Sequence, residues 1–425
     1  MKNRLFIMLL VAAVLALPAC GNPAMKHLEQ GNAYSDQEQR DEAIGEYGKA
    51  IEMDPKLALA YSKRGWAYAS KGQLELAIAD LNKAIDLNPG LVEAYNYRAS
   101  VYRGEGQWDL AIADLNKALE LDPNLAEAYA HRGWAYSAKG QTDLALTDLN
   151  KAIELAPKLY DAYYNRGLLH NSQERWDMGI ADLTRVIELD PSNAAAYNDR
   201  GAAYSNVGKL EPAIADLTKA IELNPSYTRA YLSRGLVYRV QEQWDKAIAD
   251  LGKAVELDPE AMAGKVELAQ AYKDRAVDYG EKGQFDQALA DLDKAIEIDP
   301  ELAIAYYNRG SIHNQNEQWE LGIADLTRAI EIEPHFASSY NNRGSAYSNT
   351  GELDLAISDF SKAIELKPDY ALASYNRGNS YRLKGDFMSA IADYNKAIQL
   401  SDNAKLIESA RERIGEIQNA MKPNK

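Results

Sequence analysis

The chain has 425 residues, with 47 Lys and Arg against 63 Asp and Glu and a formal charge of −16 at pH 7. That acidity argues against a nucleic-acid partner, whose phosphates need a basic stripe, and against electrostatic docking on anionic lipid. A single cysteine, Cys20, excludes an intramolecular disulfide and a thiolate metal site.

Met1 to Arg4 form a short basic start, and Leu5 to Leu17 are thirteen apolar residues without a break. A membrane-spanning helix needs about 20 residues, so this run fits the apolar region of an export signal covering residues 1–19. Leu17-Pro18-Ala19-Cys20-Gly21 follows, with Pro18 where a small residue is usual, and it resembles the bacterial lipobox. The resemblance implies cleavage before Cys20, a thioether-linked diacylglycerol on its sulfur and an acylated amino terminus. Two or more acyl chains suffice for stable anchoring. Gly21, where Asp would signal retention, implies the periplasmic face of the outer membrane. Residues 20–23 then act as a short linker. Three extended residues reach roughly 10 Å, which sets the first helices against the bilayer.

Prolines recur every 34 residues from Pro55 to Pro259, continue at Pro300, Pro334 and Pro368, and give way to Asp402 in the eleventh place. Ala126 to Pro157 is the regular copy. Tyr129, Gly133 and Tyr136 fall at i, i+4, i+7, and Ala145, Leu149, Ala152 and Ile153 at i, i+4, i+7, i+8, the period of two amphipathic helices. Gly140 ends the first helix and Pro157 stops the second. A pair this small cannot bury both apolar faces and needs neighbours, which the period supplies. Eleven copies therefore span residues 24–404.

With the proline as position 32 of each repeat, position 8 is Gly65, Ala99, Gly133, Gly167 and Gly201, position 20 is Ala77, Ala111 and Ala145, and position 27 is Ala84, Ala118 and Ala152. Small residues at these places let helices approach closely. Position 7 is Arg in repeats 2 to 11, from Arg64 to Arg377, and position 23 is Asp in the same repeats, from Asp80 to Asp393. An Arg–Asp pair joining the two helices is expected in each. The first repeat has Gln30 and Glu46 instead. Repeats 5 and 9 carry His170 and His313 at position 11, with Gly179 and Gly322 at position 20, which reads as a compensated change of core packing.

Between the seventh and eighth repeats the spacing grows to 41. The surplus, Ala261 to Glu267, is nearly two helical turns, so the first helix of repeat 8, around 260–280, should be longer and protrude. After the last repeat, Leu406, Ile407, Ala410, Ile414 and Ile417 share one side of a further helix within 405–425 that solvates the end of the array.

The Tyr, Arg-Gly, Tyr, Gly, Ala, Leu, Ala, Pro pattern resembles the tetratricopeptide repeat over residues 24–404. The resemblance implies an all-α, right-handed superhelical solenoid of about eleven helix-turn-helix repeats with a C-terminal capping helix. It also implies an inner face made by the first helices, chiefly through positions 2, 5, 6, 9 and 12–13. Asn308, Asn342 and Asn376 hold position 6 in three consecutive repeats, and Asn165 holds it in the fifth. They resemble the asparagine ladder of the O-linked N-acetylglucosamine transferases, whose amides hold a peptide backbone, although Asp199, Ser233 and Asp274 interrupt it here. An amide can donate and accept together and so match a peptide unit without reading its side chain. Tyr164, Tyr307 and Tyr375 at position 5, with Trp66 and Trp134 at position 9, are candidate anchors beside it. The two-carboxylate clamp of another branch is absent, because Lys273 at position 5 is followed by Val277 at position 9.

Nothing points to an enzyme, a metal or another cofactor, or a small-molecule substrate. The five histidines lack zinc spacing, and Gly201 with Gly208-Lys209 has six intervening residues where a phosphate loop has four. The expected function is a lipid-anchored interaction scaffold or adaptor of the cell envelope that binds proteins or extended peptides. The alternative is a structural spacer whose groove stays empty.

Overall fold

The computed structural model describes residues 22–421. Cys20, the leader and Pro423 lie outside the described residues. Two compact units meet in sequence between Lys209 and Leu210.

The N-terminal unit holds α1 (Pro23–Asp36), α2 (Arg40–Met53), α3 (Ala58–Ser70), α4 (Leu74–Leu87), α5 (Val92–Gly104) and α6 (Trp108–Leu121). It continues with α7 (Ala126–Ala138), α8 (Thr142–Leu155), α9 (Tyr160–Ser172), α10 (Trp176–Leu189) and α11 (Ala194–Asn206). The C-terminal unit holds α12 (Leu210–Leu223), α13 (Thr228–Val240), α14 (Trp244–Leu257), α15 (Met262–Glu281), α16 (Phe285–Ile298) and α17 (Ala303–Gln315). It ends with α18 (Trp319–Ile332), α19 (Ala337–Thr350), α20 (Leu353–Leu366), α21 (Ala371–Lys384), α22 (Phe387–Leu400) and α23 (Ala404–Ala420). No strand occurs among the described residues.

Within each unit the repeats are pairs of short antiparallel helices. The turn between them places position 15 in the left-handed region, through Gly72, Gly106, Gly140, Gly208, Gly283, Gly351 and Gly385 with φ between 71° and 85°. Glu38, Glu174, Glu242 and Glu317 take the same conformation at φ 57–59°, at the strain a side chain adds there. Within each unit a first helix touches the first helices before and after it, while second helices contact first helices only. First helices thus line the inner side of each unit.

Leu81, Leu115, Leu149 and Leu183 are fully buried one after another along the N-terminal unit. Each leucine lies over position 8 of its own repeat. A Cβ added to Gly133 would stand 2.8 Å from Leu149 Cγ and 3.1 Å from the Ala145 carbonyl, so the spacing of α7 and α8 depends on its absence. The Arg–Asp pairs form as bidentate bonds. Arg132 Nε and Nη2 donate to Asp148 at 2.7 and 2.9 Å, and the same geometry joins Arg64 to Asp80, Arg98 to Asp114, and Arg166 to Asp182. In the C-terminal unit it joins Arg234, Arg275, Arg309, Arg343 and Arg377 to Asp250, Asp291, Asp325, Asp359 and Asp393. The guanidinium does more than the pairing predicted. Where position 25 of the preceding repeat has a side chain that can accept, Nη1 reaches back to it: Arg132 meets Asn116 Oδ1 at 2.7 Å and Arg343 meets Thr327 Oγ1 at 3.0 Å, whereas Arg275, behind Gly252, turns to Asp245. In repeat 1, Glu46 accepts instead from Lys49 at 2.7 Å and contacts His27 Nδ1 at 2.5 Å.

The packing change in repeats 5 and 9 is compensated by a different residue from the histidine expected. A Cβ on Gly179 would meet Asn171 Oδ1 at 1.9 Å, and one on Gly322 would meet Asn314 Oδ1 at 2.0 Å. The glycine makes room for the asparagine at position 12, while His170 Nε2 stands 3.9 Å from Asp182 Oδ2. Gly179→Ala should therefore cost about 1–3 kcal/mol by overpacking. Adding Asn171→Ser, which restores the Ser137 and Ala145 combination of repeat 4, should recover most of that loss in urea unfolding.

α15 is lengthened to 20 residues as the insertion predicts. It packs back more than it protrudes. Gly264 is buried with its Cβ position 3.3 Å from Val255, and Glu267 pairs with Arg239. At the other end α23 buries Ala410 and Ile417 against Ala390 and Tyr394, with Ile414 beside them. Asn403 caps it by accepting from the Lys405 and Leu406 amides.

Candidate functional site

The side chains of α3, α5, α7 and α9 that face inward surround a cavity of about 480 Å³ in the N-terminal unit. Trp66 from α3 and Tyr97 from α5 form one wall, stacked with centroids 4.8 Å apart and planes 17° apart. Trp66 remains 38% exposed, so the wall presents an open indole face. Lys63 Nζ stands 3.3 Å from the Tyr97 hydroxyl and 3.4 Å from Glu93, which ties that wall to the next helix.

Polar groups converge from the other helices. His131 of α7 and Asn96 of α5 meet at 3.1 Å between Nδ1 and Oδ1. Burial, reinforced by the Arg103 charge, holds the His131 imidazole down to about 4, so the ring is neutral at pH 7. With Nδ1–H donated to Asn96, its Nε2 is an acceptor, and the Asn96 amide nitrogen is a donor. Arg103, near the end of α5, lies with its guanidinium carbon 4.3 Å from the Trp134 ring centroid. Trp134 is itself braced edge-on by Trp108 at 5.3 Å. The Arg103 Nε is buried with no hydrogen-bond partner, and desolvation pulls the guanidinium below its usual range. Asp161 enters from α9, and burial pushes its carboxyl up.

The residues singled out from sequence fall into three groups. Trp66 lines this cavity and Trp134 supports Arg103 within it. Tyr164 donates to Asp199 Oδ2 at 2.7 Å, and Asn165 is half-buried next to it on α9. The rest sit in the C-terminal unit and are largely engaged by neighbours. Asn342 donates to Ser311 Oγ at 2.9 Å, its carbonyl accepts from Asn314 at 3.0 Å, and Asn376 donates to Asn341 Oδ1 at 3.1 Å. Tyr307 packs at 4.7 Å against Phe336, with burial raising its phenol, and Tyr375 packs at 5.5 Å against Tyr394. Asn308 lines a separate pocket with Ser311 and Gln315.

Sequence reasoning missed Asn96, Arg103, His131 and Asp161. They occupy positions 5, 12, 6 and 2 of their repeats, all expected on the inner face; Asn96 recurs as Asn198 and Asn341 and Arg103 as Arg239 and Arg382, while His131 and Asp161 depart from every sibling. That departure was the available signal. Among the described residues, no group of three His, Cys, Asp or Glu side chains could hold a metal ion, and no helix is long and apolar enough to cross a membrane.

Models described as "TPR repeat" match residues 31–72, 99–140, 133–173 and 278–316. Models described as "Tetratricopeptide repeat" match 58–91, 160–193, 194–227, 228–260, 337–370 and 371–403, and a further one matches 303–336. No curated protein matches the chain. Among solved structures, a tetratricopeptide repeat protein from Parabacteroides merdae is 22% identical over 59% of this chain and 99% of its own, with a TM-score of 0.46. MamA is 31% identical over 38% of this chain and 95% of its own, at a TM-score of 0.35. YrrB, titled a TPR protein with an unusual peptide-binding site, is 26% identical over 54% and 97%, at 0.28.

Proposed function

We propose, from the premise that this chain belongs to the tetratricopeptide repeat family, that it is an envelope scaffold which binds extended protein segments on its first-helix face. Proteins of this family act as protein–protein interaction scaffolds. The observation that carries the reading is the cavity of the N-terminal unit, where an exposed indole, the Asn96–His131 pair, Asp161 and an Arg103 Nε without a hydrogen-bond partner converge from four consecutive first helices. Such a site combines an apolar anchor with donors and acceptors suited to a peptide backbone. Lipid on Cys20 would hold the scaffold at the periplasmic face of the outer membrane, as the Leu17-to-Gly21 motif suggests. Cys20→Ser should then move the protein from the membrane to the soluble fraction and abolish incorporation of labelled palmitate.

A photo-crosslinking residue placed at Ser70, on the rim of the cavity, should capture envelope proteins. One placed at Leu110, exposed on the second-helix side, should capture none. Capture from Leu110 alone would move the binding face to the second helices. Capture from neither would favour the spacer reading.

A further inference from the structure

Three repeats carry arginine at position 12: Arg103, Arg239 and Arg382. They meet different fates. Arg239 on α13 receives two carboxylates from α15, with Glu267 bonded to its Nη1 and Asp274 Oδ2 3.3 Å from its Nε. Glu267 is the last of the seven inserted residues, and Asp274 holds position 6 of repeat 8. Arg382, in the last repeat, also has a buried Nε without a partner, but its guanidinium bonds to Tyr394. No carboxylate bonds to Arg103, although the Asp161 charge acts on it from the same cavity. Position 6 of its following repeat is the neutral His131, and repeat 4 begins without an insertion. Its Nε is buried without a partner, and its guanidinium borders the cavity.

We infer that this cavity binds the side-chain carboxylate of an aspartate or glutamate in an extended partner segment, held by Arg103 as Glu267 is held by Arg239. The inference rests on the scaffold reading above and names the ligand that reading leaves open. A planar guanidinium matches a carboxylate through two parallel bonds, and a buried donor left without one is costly. Stacking on Trp134 at 4.3 Å fixes the fork before the ligand arrives, so little orientation is lost on binding. Around it, the Asn96 amide can donate to a ligand carbonyl while His131 Nε2 and the Asp161 carboxyl can accept from ligand N–H groups. Glu267 lies within a helix and offers a side chain, which argues for an internal acidic residue as occupant, not a chain end. The long-range field works the other way. A chain of charge −16, with Glu127 at the cavity rim, attracts basic peptides, so selection of an acidic one must come from the local site.

The test is to expose the full chain to random decapeptides with acetylated and amidated ends, and to sequence what it retains at physiological salt. The wild type should enrich Asp or Glu at one position, and Arg103→Gln should lower that enrichment about tenfold, the scale of one charged hydrogen-bond pair. Thermal melting should fall only slightly, because Arg103 gives up its stacking on Trp134 and its charge beside Asp161 but no bonded carboxylate. His131→Asp gives repeat 4 the position-6 residue of repeat 8, and should block the site equally by supplying an internal partner. Arg239→Gln should leave the enrichment intact. Retained peptides without acidic enrichment, or enrichment that survives both site variants, would overturn the carboxylate inference while leaving the scaffold reading standing. Enrichment confined to peptides with free C termini would overturn the side-chain assignment. Retention of no peptide would overturn the peptide-binding reading along with it.

Discussion

Replacing Asp148 by alanine is expected to lower stability by about 3–5 kcal/mol, the scale of breaking a buried ion pair by removing one partner. Asp148 is buried in α8 and accepts both Nε and Nη2 of Arg132. That guanidinium sits between Tyr129 and Tyr136, with centroids 5.5 and 5.9 Å away, and spends its remaining arm on Asn116 of the preceding repeat. Without Asp148 the charge has no acceptor within its own repeat and is only partly reached by water. The damage should spread, because Arg132 connects two repeats and neighbours in a solenoid stabilise one another. Urea unfolding followed by circular dichroism measures it. Arg132→Met with Asp148→Leu should regain most of the loss, since replacing a whole buried pair by apolar groups is often neutral or better. A double variant as unstable as Asp148→Ala alone would show that the Asn116 bond, not the ion pair, carries the stability.

Acid should loosen the N-terminal unit before carboxylates titrate fully. Burial and Arg103 hold His131 at about 4 in the folded chain, against 6.5 for a free imidazole. The unfolded chain therefore binds the proton more readily. Stability is whole above about pH 6.5, declines as pH falls through the window, and has lost about 3 kcal/mol by pH 4. Hydrogen exchange over residues 92–157 should report this locally, because α5 and α7 carry the cavity. His131→Gln should flatten the difference between pH 6.5 and pH 4. A wild-type curve that runs parallel to that of His131→Gln would mean that the ring is hydrated and titrates normally.

Much of the fold was legible because the same physical demand recurs at each copy. Gly133 is needed where Leu149 presses on α7, Gly140 where the turn requires positive φ, and Arg132 where Asp148 faces it from the next helix. Each demand acts within one helix pair, so residue type and spacing were enough to state it. The helical extension of repeat 8 was legible for the same reason: seven residues preserve the face. Contacts between repeats were harder to read, and so was one inside a helix pair. That Gly179 yields to Asn171 and not to His170 depends on which side chain the turn of α9 points at α10.

The candidate site lies at that second level. Position 6 holds Asn342, Asn376 and His131 at equivalent places, and the period alone makes them interchangeable. Packing does not. Asn342 bonds to Ser311, Asn376 to Asn341, and His131 to Asn96, each partner belonging to a different helix. The same holds for the arginines at position 12. By itself the sequence determined the paired helices, their close approach and the Arg–Asp links, because these are decided inside one 34-residue copy. Only the tertiary structure decided that Arg239 is neutralised by Glu267 and Asp274 while Arg103 faces a cavity unpaired, because that outcome depends on what the next copy brings alongside.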